Sequence, residues 1–196
     1  MDLTQGSSQQ KNQRAKKMML WFGIVSLIMS FGGLTSAFIV SSSREDWLYD
    51  FTIPHSFLIS TMIIAFSSLV FIAAKKALLK KKYLLSQSLV IGVFALGLTF
   101  IYFQILGFNE LIESGYNFTG PTSNITMSYI YVIAVAHILH VIAGLVSLVV
   151  VIINHLKKRY TPTSKLGFDI ASTFWHFIDL LWVYLFLFLY FFNKIN

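Results

Sequence analysis

The chain has 196 residues, 56% of them hydrophobic and only 12% charged, where a soluble domain averages about 25% charged. With a mean hydropathy of +0.71, this composition excludes a water-soluble globular domain and describes a protein built for lipid. The formal net charge of +7 would suggest nucleic acid in a soluble protein, but its distribution along the chain excludes that partner, and the absence of cysteine excludes disulfides, iron–sulfur clusters and thiolate metal sites.

Residues 1–17 are polar and basic, with Lys11, Arg14, Lys16 and Lys17. They are expected to form a tail without fixed structure as far as Arg14. The tail leads into an apolar stretch at 18–40, and crossing ~30 Å of hydrocarbon takes roughly 20 such residues. No small-residue cleavage site follows a short apolar core, so the expectation is a retained anchor and not a removed signal peptide. Along this first span Ser26, Ser30, Gly33 and Ala37 recur at i, i+4, i+7 and i+11. Such a small-residue stripe invites close packing, within the bundle or against another subunit. A loop with Arg44, Glu45, Asp46 and Asp50 follows.

The second span is expected at 54–74, and Lys75, Lys76, Lys80, Lys81 and Lys82 fill the short connection after it. The third, at 83–106, repeats the small-residue pattern weakly at Ser88 and Gly92, and its Gln104 is placed to cap or hydrogen-bond. The longest loop, 107–126, carries Glu110, Glu113 and two glycosylation triplets starting at Asn117 and Asn124, matches short enough to arise by chance. The fourth span, 127–153, holds His137, His140 and Gly144 at i, i+3 and i+7 on one face. Ser147 extends that stripe, and Gly144 leaves room for a neighbouring helix. Two histidines at i, i+3 would need a third ligand from elsewhere to hold a metal.

After Lys157, Lys158, Arg159 and Lys165 comes the fifth span, 170–192, with Trp175-His176-Phe177-Ile178-Asp179-Leu180-Leu181-Trp182 at its centre. His176 and Asp179 share a face at i and i+3. In hydrocarbon both need a partner or a wet cavity. Asp179 lies about 13 Å into the span, so a hydrogen bond to an imidazole of the fourth helix is the expected polar seam. Three readings of that seam compete: a structural lock worth ~1 kcal/mol per bond, haem ligation, and a proton path. The lock is preferred because the set lacks a complete relay. His55 and His155 read as interfacial, as do Trp21, Trp47 and Tyr190. Trp175 and Trp182, one heptad apart, face one way and read as lipid-facing or interhelical packing.

Of the fifteen Lys and Arg residues, thirteen alternate onto one side of the five spans. The positive-inside rule therefore predicts a cytoplasmic N-terminus and a periplasmic C-terminus. The expected fold is an all-α, integral membrane bundle of five transmembrane helices, with residues 18–196 as one domain and no inverted repeat.

The run from Trp175 to Trp182 resembles the last-helix signature of subunit III of the haem–copper terminal oxidases, the cytochrome c or quinol oxidase family. His137-Ile138-Leu139-His140-Val141 with Gly144 resembles that family's H-x-x-H-V-x-x-G segment, and residues 100–104 resemble a further one. The similarity covers all five spans. Longer members have two additional leading helices, so the chain looks like the short bacterial form, and residues 33–40 resemble a Bacteroidetes-type branch. Many members carry a carboxylate in the helix equivalent to the first one here. No acidic residue lies between Lys17 and Arg44, and Phe31 or a near neighbour stands at the approximate position.

The resemblance implies a non-catalytic accessory subunit in the bacterial cytoplasmic membrane, packed on catalytic subunit I beside subunit II. It implies bound phospholipid, and haem and copper held by the partner subunits and not by this chain; a larger respiratory supercomplex is a further candidate partner on which the sequence is silent. A stand-alone carrier or channel using the His/Asp seam, or a haem-binding membrane subunit, stand as the alternatives.

Overall fold

The computed structural model describes residues 7–49, 51–120, 123–162 and 164–195. Among the described residues five helices form: α1 (Ser8–Ser41), α2 (His55–Leu79), α3 (Tyr83–Glu113), α4 (Ile125–Leu156) and α5 (Leu166–Ile195). All five are long and apolar enough to cross a membrane, and among the described residues no β-strand forms beyond an isolated bridge between Asn117 and Ser123. This is an all-α, multi-pass membrane protein. The helices outrun the expected spans: α1 alone has 34 residues, about 51 Å at 1.5 Å per residue.

The extra length of α1 lies at its polar start, where an unstructured tail was expected. Ser7 caps the helix, its Oγ accepting from the Gln10 N–H at 3.4 Å while Gln10 Oε1 accepts from the Ser7 N–H at 3.2 Å. This reciprocal capping box satisfies two end donors. The nucleation cost of the helix is already met by the apolar span it extends. Of the residues named above, those at 1–6 and Asp50 lie outside the described residues.

Three residues separate α2 from α3, so the two form an antiparallel hairpin with the most extensive packing in the bundle. α4 packs on α3, and α5 on both α4 and α2, closing a four-helix ring. α1 rests outside that ring in the groove between α4 and α5, and it turns Ile24, Phe31, Thr35 and Phe38 inward. Its small-residue stripe faces the other way: Ser26, Ser30 and Gly33 are exposed, and a Cβ on Gly33 would meet nothing within 4 Å.

Three helices end in the same turn. Lys81, Gly115 and Lys158 adopt φ of 59°, 86° and 52° after α2, α3 and α4. Each turn pairs its flanking N–H groups with the last carbonyls of the helix, as in Lys158 N–H to His155 O at 2.9 Å and Arg159 N–H to Asn154 O at 3.0 Å.

Two interfacial readings need correction. Trp47 is 6% exposed and packs edge-on against Phe38 with ring centroids 4.8 Å apart, because the loop after α1 folds back over the bundle. His155 is also buried. Its Nε2 lies 3.1 Å from Ser86 Oγ, which itself donates to the Ala74 carbonyl at 2.9 Å. One histidine thus ties α4 to α3 and, through Ser86, to α2.

Candidate functional site

The polar side chains of the bundle converge on α2, a helix that offers no histidine beyond His55 and no buried charge. Its hydroxyls repeat one arrangement. Ser60 Oγ donates to the Phe57 carbonyl at 2.9 Å, Thr61 Oγ1 to the same carbonyl at 2.6 Å, and Ser67 Oγ to the Ile64 carbonyl at 2.7 Å. With its proton engaged by its own helix, each oxygen offers lone pairs outward. Gln104 Nε2 of α3 donates to Ser60 at 2.9 Å. Trp182 and Trp175 of α5 donate their indole N–H to Thr61 at 3.0 Å and to Ser67 at 2.9 Å. The result is a ladder of hydroxyl acceptors that holds α3 and α5 onto α2 inside the bundle.

The intramembrane acid and one histidine belong to this ladder. Asp179 is 2% exposed, and its Oδ2 lies 3.2 Å from Ser67 Oγ. His176 Nδ1 lies 2.5 Å from Ser68 Oγ. The expected bond from Asp179 to an imidazole of α4 is therefore absent, because the face of α5 that carries 175, 179 and 182 turns toward α2. Nearer the lysine-rich end, Lys75 and Asp169 form an ion pair at 2.8 Å. At the other end Ser56 donates to Glu110.

His137 and His140 do share a face, but one lined with rings. His137 is fully buried, with Trp182, Phe100 and Phe31 at centroid distances of 4.9, 5.9 and 6.3 Å. Neither of its nitrogens has a hydrogen-bond partner among the described residues. His140 lies 5.7 Å from Phe31, and its Nδ1 is 2.7 Å from the Ala136 carbonyl, so Nδ1 carries the proton and donates. Among the described residues no group of three or more histidine, aspartate or glutamate side chains gathers here that could hold a metal ion. Phe31 packs against both histidines.

Gly144 gives α5 the close approach its sequence position suggests. A Cβ there would lie 2.7 Å from Ile178 Cδ1 and 3.1 Å from Trp175 Cε3. On α3, a Cβ at Gly97 would lie 2.7 Å from Trp175 Cη2. The Trp175 indole is thus clamped between a glycine of α3 and a glycine of α4 while its N–H reaches α2. Gly97, Ser60, Thr61, Ser67 and Ser68 went unmarked in the sequence reading. Their signal was the hydroxyl spacing 56, 60, 67 along α2, masked by the apolar residues between.

Around this core the sequence matches the cytochrome c oxidase subunit III family over residues 5–194. The chain belongs to that family. Among similar proteins, the cytochrome bo(3) ubiquinol oxidase subunit 3 of Buchnera aphidicola subsp. Baizongia pistaciae is 33% identical over 118 residues, 60% of this chain and 59% of the relative. The cytochrome c oxidase subunit 3 of Corynebacterium diphtheriae is 26% identical, over 84% of this chain and 82% of the relative. The corresponding bo(3) subunit 3 of Buchnera aphidicola subsp. Acyrthosiphon pisum is 25% identical, over 94% and 90%. As a subunit III, the chain works within a complex of oxidase subunits, and the ladder on α2 supplies the joints of its own bundle.

Proposed function

We propose that the chain is the accessory subunit III of a respiratory haem–copper oxidase in a bacterial cytoplasmic membrane, with its N-terminus on the cytoplasmic side. It packs on catalytic subunit I beside subunit II, which hold the haems and copper. It contributes a rigid, lipid-binding bundle that preserves the catalytic subunit while oxygen is reduced with coupled proton uptake. The observation that carries this reading is the family match across 5–194 on a bundle whose α2 hydroxyls join α3 and α5 to it. The exposed stripe of Ser26, Ser30 and Gly33 on α1 suits a contact with another subunit. The basic surplus at one end supports the orientation.

The test is an affinity pull-down of the chain from native membranes in mild detergent, with a reduced-minus-oxidised spectrum of the eluate. Haem a-type or o-type bands with larger co-purifying subunits are expected. A haem-free eluate from membranes that contain active oxidase would overturn the assignment and return the carrier reading to the front.

A further inference from the structure

α5 is flanked by α2 on one side and by α1 on the other, and α1 and α2 do not pack on each other. A strip of α5 therefore stays open between them. Asp169, Thr173, His176, Leu180, Val183 and Leu187 follow at i, i+4, i+7, i+11, i+14 and i+18, on one helical face, and none of them is fully buried. Beside the strip, the seam between α1 and α5 holds two clefts in succession. One of about 240 Å³ lies between Trp21 and Thr173 at the lysine-rich end. The other, of about 300 Å³, opens farther along between Gly32 of α1 and Leu180 and Tyr184 of α5. A Cβ on Gly32 would meet nothing within 4 Å, and Leu180 is 68% exposed.

One member of the strip is ill suited to lipid. His176 Nδ1 lies 2.5 Å from Ser68 Oγ. Among the described residues Ser68 makes no bond to a carbonyl of its own helix, unlike Ser60, Thr61 and Ser67. Its hydroxyl proton is thus directed to Nδ1, and the ring proton of the neutral imidazole falls to Nε2. Nε2 makes no hydrogen bond among the described residues, nor is it enclosed by the bundle, so this donor opens onto the strip. The imidazole lies about 9 Å inside the span that begins at Ile170. At that depth acyl chains offer no acceptor, and an unmet N–H is costly.

We propose that this face docks one transmembrane helix of a partner oxidase subunit, seated along the α1–α5 seam with a side-chain acceptor oxygen opposite His176 Nε2. The proposal rests on the assignment to an oxidase complex and names the face through which the chain joins it. The clefts and the bare Gly32 backbone let the ridge of another helix come close, which matters where association in lipid depends on fit. An acceptor on that helix meets the imidazole donor, whereas a hydrocarbon tail in the same seam leaves it unmet. The pair also fixes the register of the contact, since a slip of one helical turn, about 5.4 Å, separates its members.

The experiment uses the complex in native membranes, with Leu180 replaced by photoreactive benzoylphenylalanine. Illumination is expected to join the chain to another oxidase subunit. The peptide recovered by mass spectrometry should be an apolar segment of roughly 20 residues carrying a side-chain oxygen acceptor within one turn of the crosslink. Leu180→Trp enlarges an exposed side chain without entering the bundle, and is expected to lower the share of the chain that co-purifies with haem, relative to its amount in the membrane, at least threefold. His176→Leu should lower it about threefold, the share of one hydrogen bond between membrane helices. Unchanged co-purification of either variant would overturn the proposal. So would a photoproduct with lipid alone or with a second copy of this chain, or an oxidase peptide without such an acceptor. If the unaltered chain brings down no haem, the oxidase assignment itself fails; if it does while Leu180→Trp co-purifies equally, the docking face alone fails.

Discussion

Ser67→Ala removes one oxygen and disturbs three groups. Ser67 is fully buried. Its Oγ receives the Trp175 indole N–H at 2.9 Å and stands 3.2 Å from Asp179 Oδ2, while donating to the Ile64 carbonyl at 2.7 Å. The backbone carbonyl keeps its own helical bond. The indole N–H is left without a partner and the carboxyl loses its Ser67 contact, while Asp179 Oδ1 already has none among the described residues. An orphaned buried donor or acceptor costs about 1–3 kcal/mol. Hydrogen bonds between membrane helices measure nearer ~0.6 kcal/mol, so the two groups together set the expected loss at about 2–4 kcal/mol. The assay is equilibrium unfolding in mixed micelles, with Ser88→Ala as the control, since Ser88 is exposed and donates only to the Leu85 carbonyl. A cycle with Trp175→Phe isolates the Ser67–Trp175 pair, with an expected coupling of about 0.5–1.5 kcal/mol. The reasoning fails if Ser67→Ala and Ser88→Ala differ by less than about 0.5 kcal/mol, or if the cycle shows no coupling.

Gly97→Ala and Gly144→Ala each press a methyl group on the clamped Trp175 ring. Each should cost about 1–3 kcal/mol in the same assay, despite the gain of about 1 kcal/mol in helix propensity, and Gly92→Ala, with nothing within 4 Å, should cost nothing. His137→Leu replaces a buried imidazole that has no partner with an apolar group, so its stability should stay level or rise by up to ~1 kcal/mol. A loss of more than about 2 kcal/mol would point to a bound partner that the imidazole serves. In the loop after α1, Arg44 donates to both oxygens of Asp46 at 2.8 and 3.1 Å and holds its carboxyl below the ordinary 3.8. A depressed folded value means that the pair contributes above the ordinary carboxylate range and is lost as pH falls beneath it. Carbon NMR titration of Asp46 should show its midpoint rising toward 3.8 in Arg44→Gln, and an unchanged midpoint would rule the pair out.

Much of the architecture was legible because hydrocarbon leaves few choices. Every backbone polar group must be satisfied within its segment, so apolar runs of sufficient length announce their helices directly. All five spans appear where the sequence places them, extended at their polar ends. The site was less legible. Asp179, His176, Trp175 and Trp182 were singled out as a set, but their shared face on α5 does not say which neighbour it meets. Ring closure of α2 onto α5 is a tertiary fact that periodicity cannot supply, so the bond was expected on α4. The serines and threonine of α2 were passed over because hydroxyls in a membrane helix are common and their value depends on what lies opposite. His155 was misjudged for the same reason: closeness to a lysine-rich loop said nothing of Ser86 waiting inside.

The hydroxyl ladder has a consequence for proton movement through the bundle. A chain of hydroxyls conducts a proton only when each member can hand its own forward and take the next from behind. On α2, Ser60, Thr61 and Ser67 direct their protons sideways into the Phe57 and Ile64 carbonyls, the indole and amide N–H groups opposite them do not release protons in the physiological range, and Asp179 meets the row at Ser67 alone among these three. Ile64 fills the gap between Ser60 and Ser67 on the buried face. Between Ser60 and Ser67 the row of hydroxyls is polar, yet in its resting arrangement it does not hand a proton from one rung to the next.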